Sequence, residues 1–252
     1  KNKVNIRNIP EHELARLRQK ASEINGASSS NEQDYSTLLT RRLNHEPLQY
    51  IEEYVPFYTI QLKVDQRCLI PRPETEYLIE LIKENTNPLK SILDIGTGSG
   101  CIALMMKALY PNIEVTGVDI SEEALSIAIE NAQLNSLAVN FLQSDLLENI
   151  KTENVDLIIA NLPYIPENTL ESLDKEVIDY EPLIALNGGV DGLEIISRLI
   201  NQIEDRDISD LTLCLEIDST KSSQTLDLLS DWKDVKLFKD LAEKDRYVFA
   251  TK

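Results

Sequence analysis

Short apolar runs alternate with amphipathic stretches along the last two thirds of the chain, and this pattern predicts the fold. The apolar runs have the length and β-branched character of buried strands, while the stretches between them carry apolar residues at a helical period. The predicted strands are 91–95, 114–118, 139–143, 155–160 and 211–217, and the predicted helices are 101–109, 122–135 and 192–203. This alternation indicates an α/β fold: a parallel sheet covered on both faces, with ligand sites at the carboxyl ends of its strands.

Two further apolar runs, at 235–238 and 246–250, come late in the chain. The stretch between them is too short for the helical crossover that a parallel connection needs. We therefore expect a mostly parallel sheet whose last strands pair antiparallel.

The first part of the chain follows a different pattern. Apolar positions spaced among charged residues predict an amphipathic helix at 10–25, the composition of 26–31 is typical of a loop, and a second short helix is expected at 35–43. β-branched and aromatic residues from 49 to 64, with Pro56 near the middle, predict a hairpin that turns at the proline.

A stiff loop should follow the hairpin. Pro71 and Pro73 fix their own φ angles and hold the residues before them extended. A helix is predicted at 75–84, directly after this loop.

The composition is that of a water-soluble globular protein. The chain has 252 residues, of which 42% are hydrophobic and 27% charged. No run approaches the roughly 18 apolar residues that span a bilayer, and residues 1–5 lack the apolar core of a signal peptide, so we expect a cytoplasmic protein without a membrane partner. Three widely separated cysteines and two histidines favour neither a disulfide framework nor a metal site.

The net charge disfavours nucleic acid as a partner. There are 43 acidic and 25 basic residues, which give a formal charge of −18. Since attraction to phosphate supplies most non-specific nucleic-acid affinity, we expect a protein or small-molecule substrate and no nucleic-acid partner.

A glycine-rich turn follows the first predicted sheet strand, in the pattern Asp94-x-Gly96-x-Gly98-x-Gly100. Glycines permit a tight turn and the close approach of a ligand to the backbone, and the next helix offers free N–H groups. Asp119 ends the second strand, where a carboxylate can accept hydrogen bonds from ribose hydroxyls.

Asp145 ends the third predicted strand, a position suited to the edge of an adenine ring. A helix N-cap or a loop charge is the alternative for Asp119 or Asp145 taken alone. Three successive strand ends of this kind favour a nucleoside site.

The fourth strand ends in Asn161-Leu162-Pro163-Tyr164. A stiff turn of proline and an aromatic residue can aim the Asn161 side-chain oxygen so that it accepts a hydrogen bond from a planar NH2 group. Together with the glycine turn, this sequence predicts methyl transfer to such a group.

The order of these motifs resembles class I S-adenosylmethionine-dependent methyltransferases that modify amino or amide nitrogens. The segments 46–51, 69–76, 180–183 and 188–193 resemble more specifically the HemK/PrmC family, the release-factor glutamine methyltransferases, over roughly residues 40 to 250. The Pro71-Arg72-Pro73 sequence and its neighbours discriminate far better than the glycine turn.

The resemblance implies a seven-stranded Rossmann-like catalytic domain behind a small helical domain and a β-hairpin linker. We place these three units at 71–252, 1–46 and 47–70, and we expect a monomer. The helical part looks shorter than in the family, and His45 stands where the family usually has glycine.

The resemblance also implies the cofactor and substrate sites. S-adenosylmethionine, which leaves as S-adenosylhomocysteine, would be held by Asp94, Gly96, Thr97, Gly98, Gly100, Asp119, Ile120, Asp145, Leu146 and Asn161. The substrate would be the glutamine of the Gly-Gly-Gln loop of peptide chain release factors, whose NH2 group donates to the Asn161 side chain and the Leu162 carbonyl while Tyr164 packs against it.

Leu162 replaces the first proline of the family's Asn-Pro-Pro-Tyr motif. It keeps the carbonyl, and because it precedes Pro163 it remains biased toward extended geometry.

A substrate loop of Arg72, Pro73, Glu74 and Thr75 is expected beside the site, together with Glu181. Arg72 and Glu74 either order this loop over the site or form an ordinary ion pair, and Glu181 is expected to brace the Asn161 turn.

Catalysis of this kind depends on alignment more than on acid–base chemistry, because an amide nitrogen is a poor nucleophile. Proximity alone can contribute roughly 7 to 11 kcal/mol.

The main alternative is an adenine-amine methyltransferase acting on DNA or RNA, for which a recognition domain and a basic face would be expected. A binding module that has lost activity is a third possibility, which the intact motif residues disfavour.

Overall fold

The computed structural model describes residues 9–25, 31–86, 90–206 and 208–252. Helices α1 (Glu11–Asn25), α2 (Asn31–Leu43) and α3 (Leu48–Glu52) come first in the chain. They share a small core of Leu17, Ala21, Leu38, Leu48 and Ile51. Residues 26–30 of the predicted loop lie outside the described residues. Residue 31, the last of that loop, begins α2, four positions before the predicted start.

A two-stranded hairpin of β1 (Tyr54–Phe57) and β2 (Ile60–Lys63) follows. The predicted turn at Pro56 is wrong: Pro56 lies within β1 opposite Gln61, and the chain reverses after Phe57. Both strands of a two-stranded sheet are edges, where proline is tolerated because its missing N–H is not needed.

The first part of the predicted hairpin, from residue 49, belongs to α3 instead. Leu48 and Ile51 face the α1–α2 core at helical spacing, whereas Tyr50 is buried in the core that includes the hairpin, and this burial outweighs the strand preference of Tyr50 and Ile51. His45 has a φ of 67°, in the left-handed region that favours glycine.

The predicted α/β fold is confirmed by a sheet of seven strands in the order β5-β4-β3-β6-β7-β9-β8. The strands are β3 (Ser91–Ile95), β4 (Glu114–Asp119), β5 (Asn140–Gln143), β6 (Leu157–Ala160), β7 (Thr212–Glu216), β8 (Lys233–Lys239) and β9 (Asp245–Thr251). The first five are parallel, whereas β9 lies between β7 and β8 and is antiparallel to both.

Helices cover both faces of this sheet. They are α4 (Pro73–Asn85), α5 (Cys101–Leu109), α6 (Glu122–Asn135), α8 (Glu194–Glu204) and α9 (Ser222–Leu228), whereas the short helix α7 (Lys175–Ile178) has no buried residue. Alternate residues of a strand enter different cores: Leu157 and Ile159 of β6 pack with α4, α5 and α6, whereas Ile158 and Ala160 pack with α8. This two-sided burial explains the continuous apolar runs in the sequence.

The strand and helix boundaries differ from the prediction by a few residues at most, and α5 and α6 have the predicted bounds. Ser121 caps α6 by accepting a hydrogen bond from the Ala124 N–H at 3.1 Å, which accounts for that clear start. Helix α9 and the short helical turns between 167 and 185 are absent from the prediction.

Candidate active site

A cavity of about 450 Å³ opens at the carboxyl ends of β3, β4 and β6. Its wall consists of the loops after these strands, the segment 67–69, the turn 182–185 and side chains of α8. This volume is in the usual range for small-molecule sites, roughly 300 to 1,000 Å³.

Most of the predicted cofactor residues line this cavity. They are Gly96, Gly98, Asp119, Ile120, Asp145, Leu146 and Asn161. The other three, Asp94, Thr97 and Gly100, are not among the lining residues.

The glycine turn brings backbone, without side chains, to the cavity wall. Gly96, Gly98 and Gly100 have φ angles of +73°, +55° and +81°, which residues with a Cβ rarely adopt. Gly100 caps the start of α5 and lies behind the turn, where a Cβ would come within 3.2 Å of Ala128. Its part is therefore the packing of α5 against α6.

Asp94 was predicted as a cofactor residue, but it is completely buried beneath the turn. Its Oδ2 accepts hydrogen bonds from Thr97 Oγ1 at 2.6 Å and from the Ala103 N–H at 3.1 Å. Burial raises the pKa of Asp94 to about 7, although both hydrogen bonds favour the charged form. Asp94 and Thr97 therefore brace the turn from within.

Asp119 ends β4 with its carboxylate fixed by the backbone. The Gly98 N–H donates to Oδ2 at 2.9 Å and the Ser121 N–H donates to Oδ1 at 3.0 Å. Burial raises the pKa of Asp119, and these two hydrogen bonds oppose that shift. Each oxygen keeps a lone pair for a further donor, because a carboxylate oxygen accepts up to two hydrogen bonds.

Asp145 and Leu146 follow β5, the neighbour of β4 in the sheet, and line the cavity there. Asp145 Oδ2 accepts a hydrogen bond from Arg198 Nη2 of α8 at 2.6 Å, and both side chains are partly exposed. Leu146 has a φ of 51° although its side chain is buried. Strained backbone of this kind persists where surrounding contacts hold it, often at functional sites.

The Asn161 side chain reaches the cavity at the end of β6. Its Nδ2 donates to Thr75 Oγ1 at 3.1 Å, and Thr75 Oγ1 in turn donates to Glu216 Oε2 at 2.9 Å. Burial raises the pKa of Glu216 to about 7, which the hydrogen bond from Thr75 and, less strongly, a direct contact from the Asn161 side chain oppose.

Leu162 and Pro163 also line the cavity, whereas Tyr164 does not. The Leu162 side chain is 4% exposed and lies against the glycine turn, where a Cβ on Gly96 would come within 3.0 Å of Leu162 Cδ2. Burial raises the pKa of the half-buried Tyr164 to about 12, so its hydroxyl stays protonated at neutral pH.

The segment 186–192 lies directly behind this turn. The Ile165 N–H donates to the Leu186 carbonyl at 3.1 Å, and the Gly188 N–H donates to the Ile165 carbonyl at 2.9 Å. A Cβ on Gly188 would come within 2.7 Å of Tyr164 Cα. The segment thus holds the turn backbone to backbone, with no room for a side chain at Gly188.

Glu181 holds the proline loop, not the Asn161 turn that it was expected to brace. Its Oε1 accepts a hydrogen bond from Arg72 Nη2 at 2.5 Å, and its Oε2 accepts one from the Ile70 N–H at 3.1 Å. Arg72, Pro73, Glu74 and Glu181 are not among the cavity-lining residues, and neither is Thr75, which contacts Asn161 from behind.

Several residues of the site have no counterpart in the sequence prediction. Arg67, Leu183 and Arg198 line the cavity, and Glu216 stands behind Asn161. A carboxylate that ends a predicted strand was the available signal for Glu216, since it ends β7 as Asp119 ends β4.

Within the residues that the structure describes, no three His, Cys, Asp or Glu side chains are grouped so that they could hold a metal ion. None of the helices in those same ranges combines the length and apolar character needed to cross a membrane.

Comparison with known proteins gives the class and then the family. The family model described as methyltransferase small domain matches residues 73–179, which contain the glycine turn and the Asn161 turn. A methyltransferase from Pyrococcus furiosus has the same fold, with a TM-score of 0.58 at 18% identity over 88% of this chain and 98% of that one. The fold is therefore that of a methyltransferase, and the matched family model agrees with this class.

The particular family follows from closer relatives. The release factor glutamine methyltransferase of Thermodesulfovibrio yellowstonii is 40% identical over 86% of this chain and 80% of its own length. That of Lactococcus lactis subsp. lactis is 40% identical over 84% and 80% respectively. This chain belongs to the family of release factor glutamine methyltransferases.

Proposed function

We propose that the protein transfers a methyl group from S-adenosylmethionine to the side-chain amide nitrogen of the glutamine in the Gly-Gly-Gln motif of peptide chain release factors. Membership of the family supports the reaction and the substrate. The observation that carries the proposal in the structure is Asn161, which lines the same cavity as Gly96 and Gly98 and has its NH2 end occupied by Thr75.

The residues of the cavity fit the cofactor. The backbone at Gly96 and Gly98 can be approached closely, and the fixed Asp119 carboxylate can accept hydrogen bonds from the two hydroxyls of a ribose. Asp145 and Leu146 are proposed to lie at the adenine. When bound, S-adenosylmethionine supplies an electrophilic methyl group on a sulfonium sulfur.

The substrate amide is proposed to be aligned by the Asn161 turn. The Asn161 side-chain oxygen and the Leu162 carbonyl would accept hydrogen bonds from the two N–H groups of the glutamine, which fixes the plane of its NH2 group. Tyr164, whose hydroxyl stays protonated, would pack against the glutamine side chain. Positioning of this kind can lower the barrier by roughly 7 to 11 kcal/mol.

An assay with labelled S-adenosylmethionine tests the function directly. The protein is incubated with a release factor, with the same factor after replacement of its loop glutamine by alanine, or with DNA and RNA. We expect label in the unmodified release factor alone. Label in nucleic acid would instead support the adenine-amine alternative, and no label anywhere would contradict methyl transfer to these substrates.

Replacement of the proposed acceptor tests the site. We expect Asn161→Ala to lower kcat by about 10²- to 10³-fold, the scale of a lost transition-state hydrogen bond, while the affinity for S-adenosylhomocysteine stays nearly unchanged. Asn112→Ala, at an exposed position, is the matched control. Unchanged turnover in Asn161→Ala would exclude Asn161 as the acceptor.

The monomeric state, the lack of nucleic-acid affinity and the division at 1–46, 47–70 and 71–252 stay predictions from the sequence. Gel filtration with light scattering and limited proteolysis would test the first and the last.

A further inference from the structure

A chain of buried hydrogen bonds lies behind the Asn161 side chain and ends at Glu216. Asn161 Nδ2 donates to Thr75 Oγ1 and Thr75 Oγ1 donates to Glu216 Oε2, at 3.1 and 2.9 Å. Thr75 is 1% exposed and Glu216 is 2% exposed. Burying a carboxyl group is costly, and a buried one often has a functional role beside a site.

The sheet register brings these groups together. Ala160 of β6 pairs with Leu215 of β7, so the next residues, Asn161 and Glu216, lie side by side at the carboxyl ends of the two strands. Thr75 reaches the space between them from the first turn of α4. Three separate elements therefore converge on one hydrogen-bonded chain.

The chemistry of the groups fixes the direction of the chain. An ionised carboxylate can only accept, and a hydroxyl has a single proton to donate. When Glu216 is ionised, Thr75 gives its proton to Glu216, and its oxygen is then left to accept from the Asn161 NH2 group. The amide oxygen of Asn161 is thereby left free for a donor from the cavity.

We propose that Glu216 is a positioning residue which, directly and through Thr75, holds the Asn161 amide with its oxygen toward the substrate. In the opposite orientation Asn161 would present its own NH2 group to the glutamine NH2, and two donors cannot bond to each other. The catalytic consequence rests on the proposed function, whereas the orientation of Asn161 does not.

The direction of the chain depends on the charge of Glu216. Burial raises the pKa of Glu216 to about 7. A protonated carboxyl can donate to Thr75, which then donates its proton to the Asn161 oxygen and reverses the amide. The favourable orientation is thus present above about pH 7 and is lost as the pH falls through that value.

Other ionisable groups face Glu216 from each neighbouring element. Arg246 of β9 favours the charged carboxylate, and Glu74 of α4 disfavours it. Tyr164 and Tyr247 also lie close, with the pKa of each raised mainly by burial and next by Glu216. The tyrosines stay neutral, so Glu216 is the group of this set that titrates near neutral pH.

A measurement without substrate tests the orientation. The side-chain NH2 signals of Asn161 in an ¹⁵N-labelled sample are identified by their loss in Asn161→Ala and followed from pH 5.5 to 8.5, a window of about 1.5 pH units either side of the expected midpoint. We expect them to shift with a midpoint near pH 7, to keep this titration in Thr75→Ser and to lose it in Glu216→Gln. Thr75→Val leaves only the direct contact between Asn161 and Glu216 and should reduce the size of the shift. Asp94, whose pKa is also near 7, contacts Thr97 and α5 and is unchanged in these variants.

Kinetics with the release factor test the catalytic consequence. We expect Thr75→Val and Glu216→Gln to lower kcat by about 10- to 100-fold, as when a supporting hydrogen-bond partner of a site residue is removed, with little change in KM. Thr75→Ser should restore most of the rate. In the wild type kcat should rise with pH through about 7, and in Glu216→Gln this rise should disappear. Thermal unfolding and S-adenosylhomocysteine binding, measured in parallel, identify variants that fail to fold.

The two experiments fail in distinguishable ways. No titration of the Asn161 signals in the wild type, or one that persists in Glu216→Gln, overturns the positioning role. So does a wild-type rate profile that Glu216→Gln leaves unchanged. Absence of methyl transfer by the wild type would contradict the proposed function, and the NMR titration would still decide the role of Glu216.

Discussion

Leu162 stands where the family motif has its first proline, and its contacts explain how the turn is held without that ring. The side chain is 4% exposed and packs on the glycine turn at Gly96. A proline restrains the backbone through its fixed φ, whereas Leu162 restrains it through a buried side chain. The same contact joins the proposed substrate turn to the proposed cofactor turn.

Truncation of this side chain should therefore affect stability and catalysis together. We expect Leu162→Ala to lower the free energy of unfolding by about 2 to 5 kcal/mol, the usual cost of a buried leucine, and to reduce kcat. Urea denaturation measures the first quantity. Leu241→Ala, at a residue that is 84% exposed, is the control and should change stability by less than about 0.5 kcal/mol. Equal effects of the two substitutions would contradict the anchoring role.

At this scale the sequence predicted positions better than orientations. Asp94 lies one residue before the end of β3 and Asp119 ends β4, yet Asp94 is buried beneath the turn and Asp119 lines the cavity. Position at a strand end does not say which way a side chain points. Thr75 and Glu216 are 86 and 55 residues away from Asn161 along the chain, so their contact follows from sheet register and helix placement, which one sequence does not display.

The segment 186–192 is the element that supports the Asn161 turn from behind. It has little regular structure, but its backbone bonds to both the N–H and the carbonyl of Ile165. Gly188 lies so close to Tyr164 and Pro163 that a Cβ would meet backbone atoms at 2.7 to 2.8 Å. Backbone atoms cannot turn aside as a flexible side chain can, so the turn would have to move.

We accordingly expect Gly188→Ala to displace the turn and to lower kcat by about 100-fold, the effect of a misplacement near 1 Å. The melting temperature should fall as well. Val190→Ala is the control in the same segment, because Val190 is 77% exposed. A Gly188→Ala variant with wild-type turnover would show that the turn does not depend on this support.

Regular elements were predictable where local signals and burial agree. The bounds of α5 and α6 follow from the glycine turn and the Ser121 cap, and the strands follow from two-sided burial. Helix α3 and the short turns between 167 and 185 were not predictable, since they contain only a few residues each and depend on distant contacts. Pro56 was misread because an edge strand tolerates a residue that usually marks a turn.

At the scale of the whole molecule, the segment 176–185 connects three regions. Glu176 forms an ion pair with Arg42 of α2 at 2.7 Å, and the Tyr180 hydroxyl donates to the Asn44 carbonyl at 2.8 Å. Glu181 holds the proline loop, and the turn 182–185 lines the cavity. The N-terminal helices are thus attached to the same short segment that borders the site.

Burial distinguishes the two carboxylates of this segment. The Glu181 side chain is 1% exposed and that of Glu176 is 40% exposed. We expect Glu181→Gln to lower the free energy of unfolding by about 1 to 3 kcal/mol and to weaken S-adenosylhomocysteine binding, because it loosens the loop next to Cys68 and Leu69. Glu176→Gln should change stability by less than about 1 kcal/mol and leave ligand affinity unchanged. Calorimetry of both variants measures the difference, and equal behaviour would contradict this assignment.

The position of β9 in the sheet has a consequence for how the protein is made. This strand is synthesised last among the seven, yet it pairs with β7 at Glu216 and its Tyr247 hydroxyl donates to the Glu74 carbonyl at 2.8 Å, 173 residues away. A nascent chain that lacks residues 245–251 has β7 as an open edge and Glu216 uncovered. The support that Glu216 gives to Asn161 is therefore complete only after nearly all of the described chain has left the ribosome, and its partners are joined by contacts of long sequence separation, which fold slowly. Full methyl-transfer activity of a newly made chain would report that synthesis has passed β9.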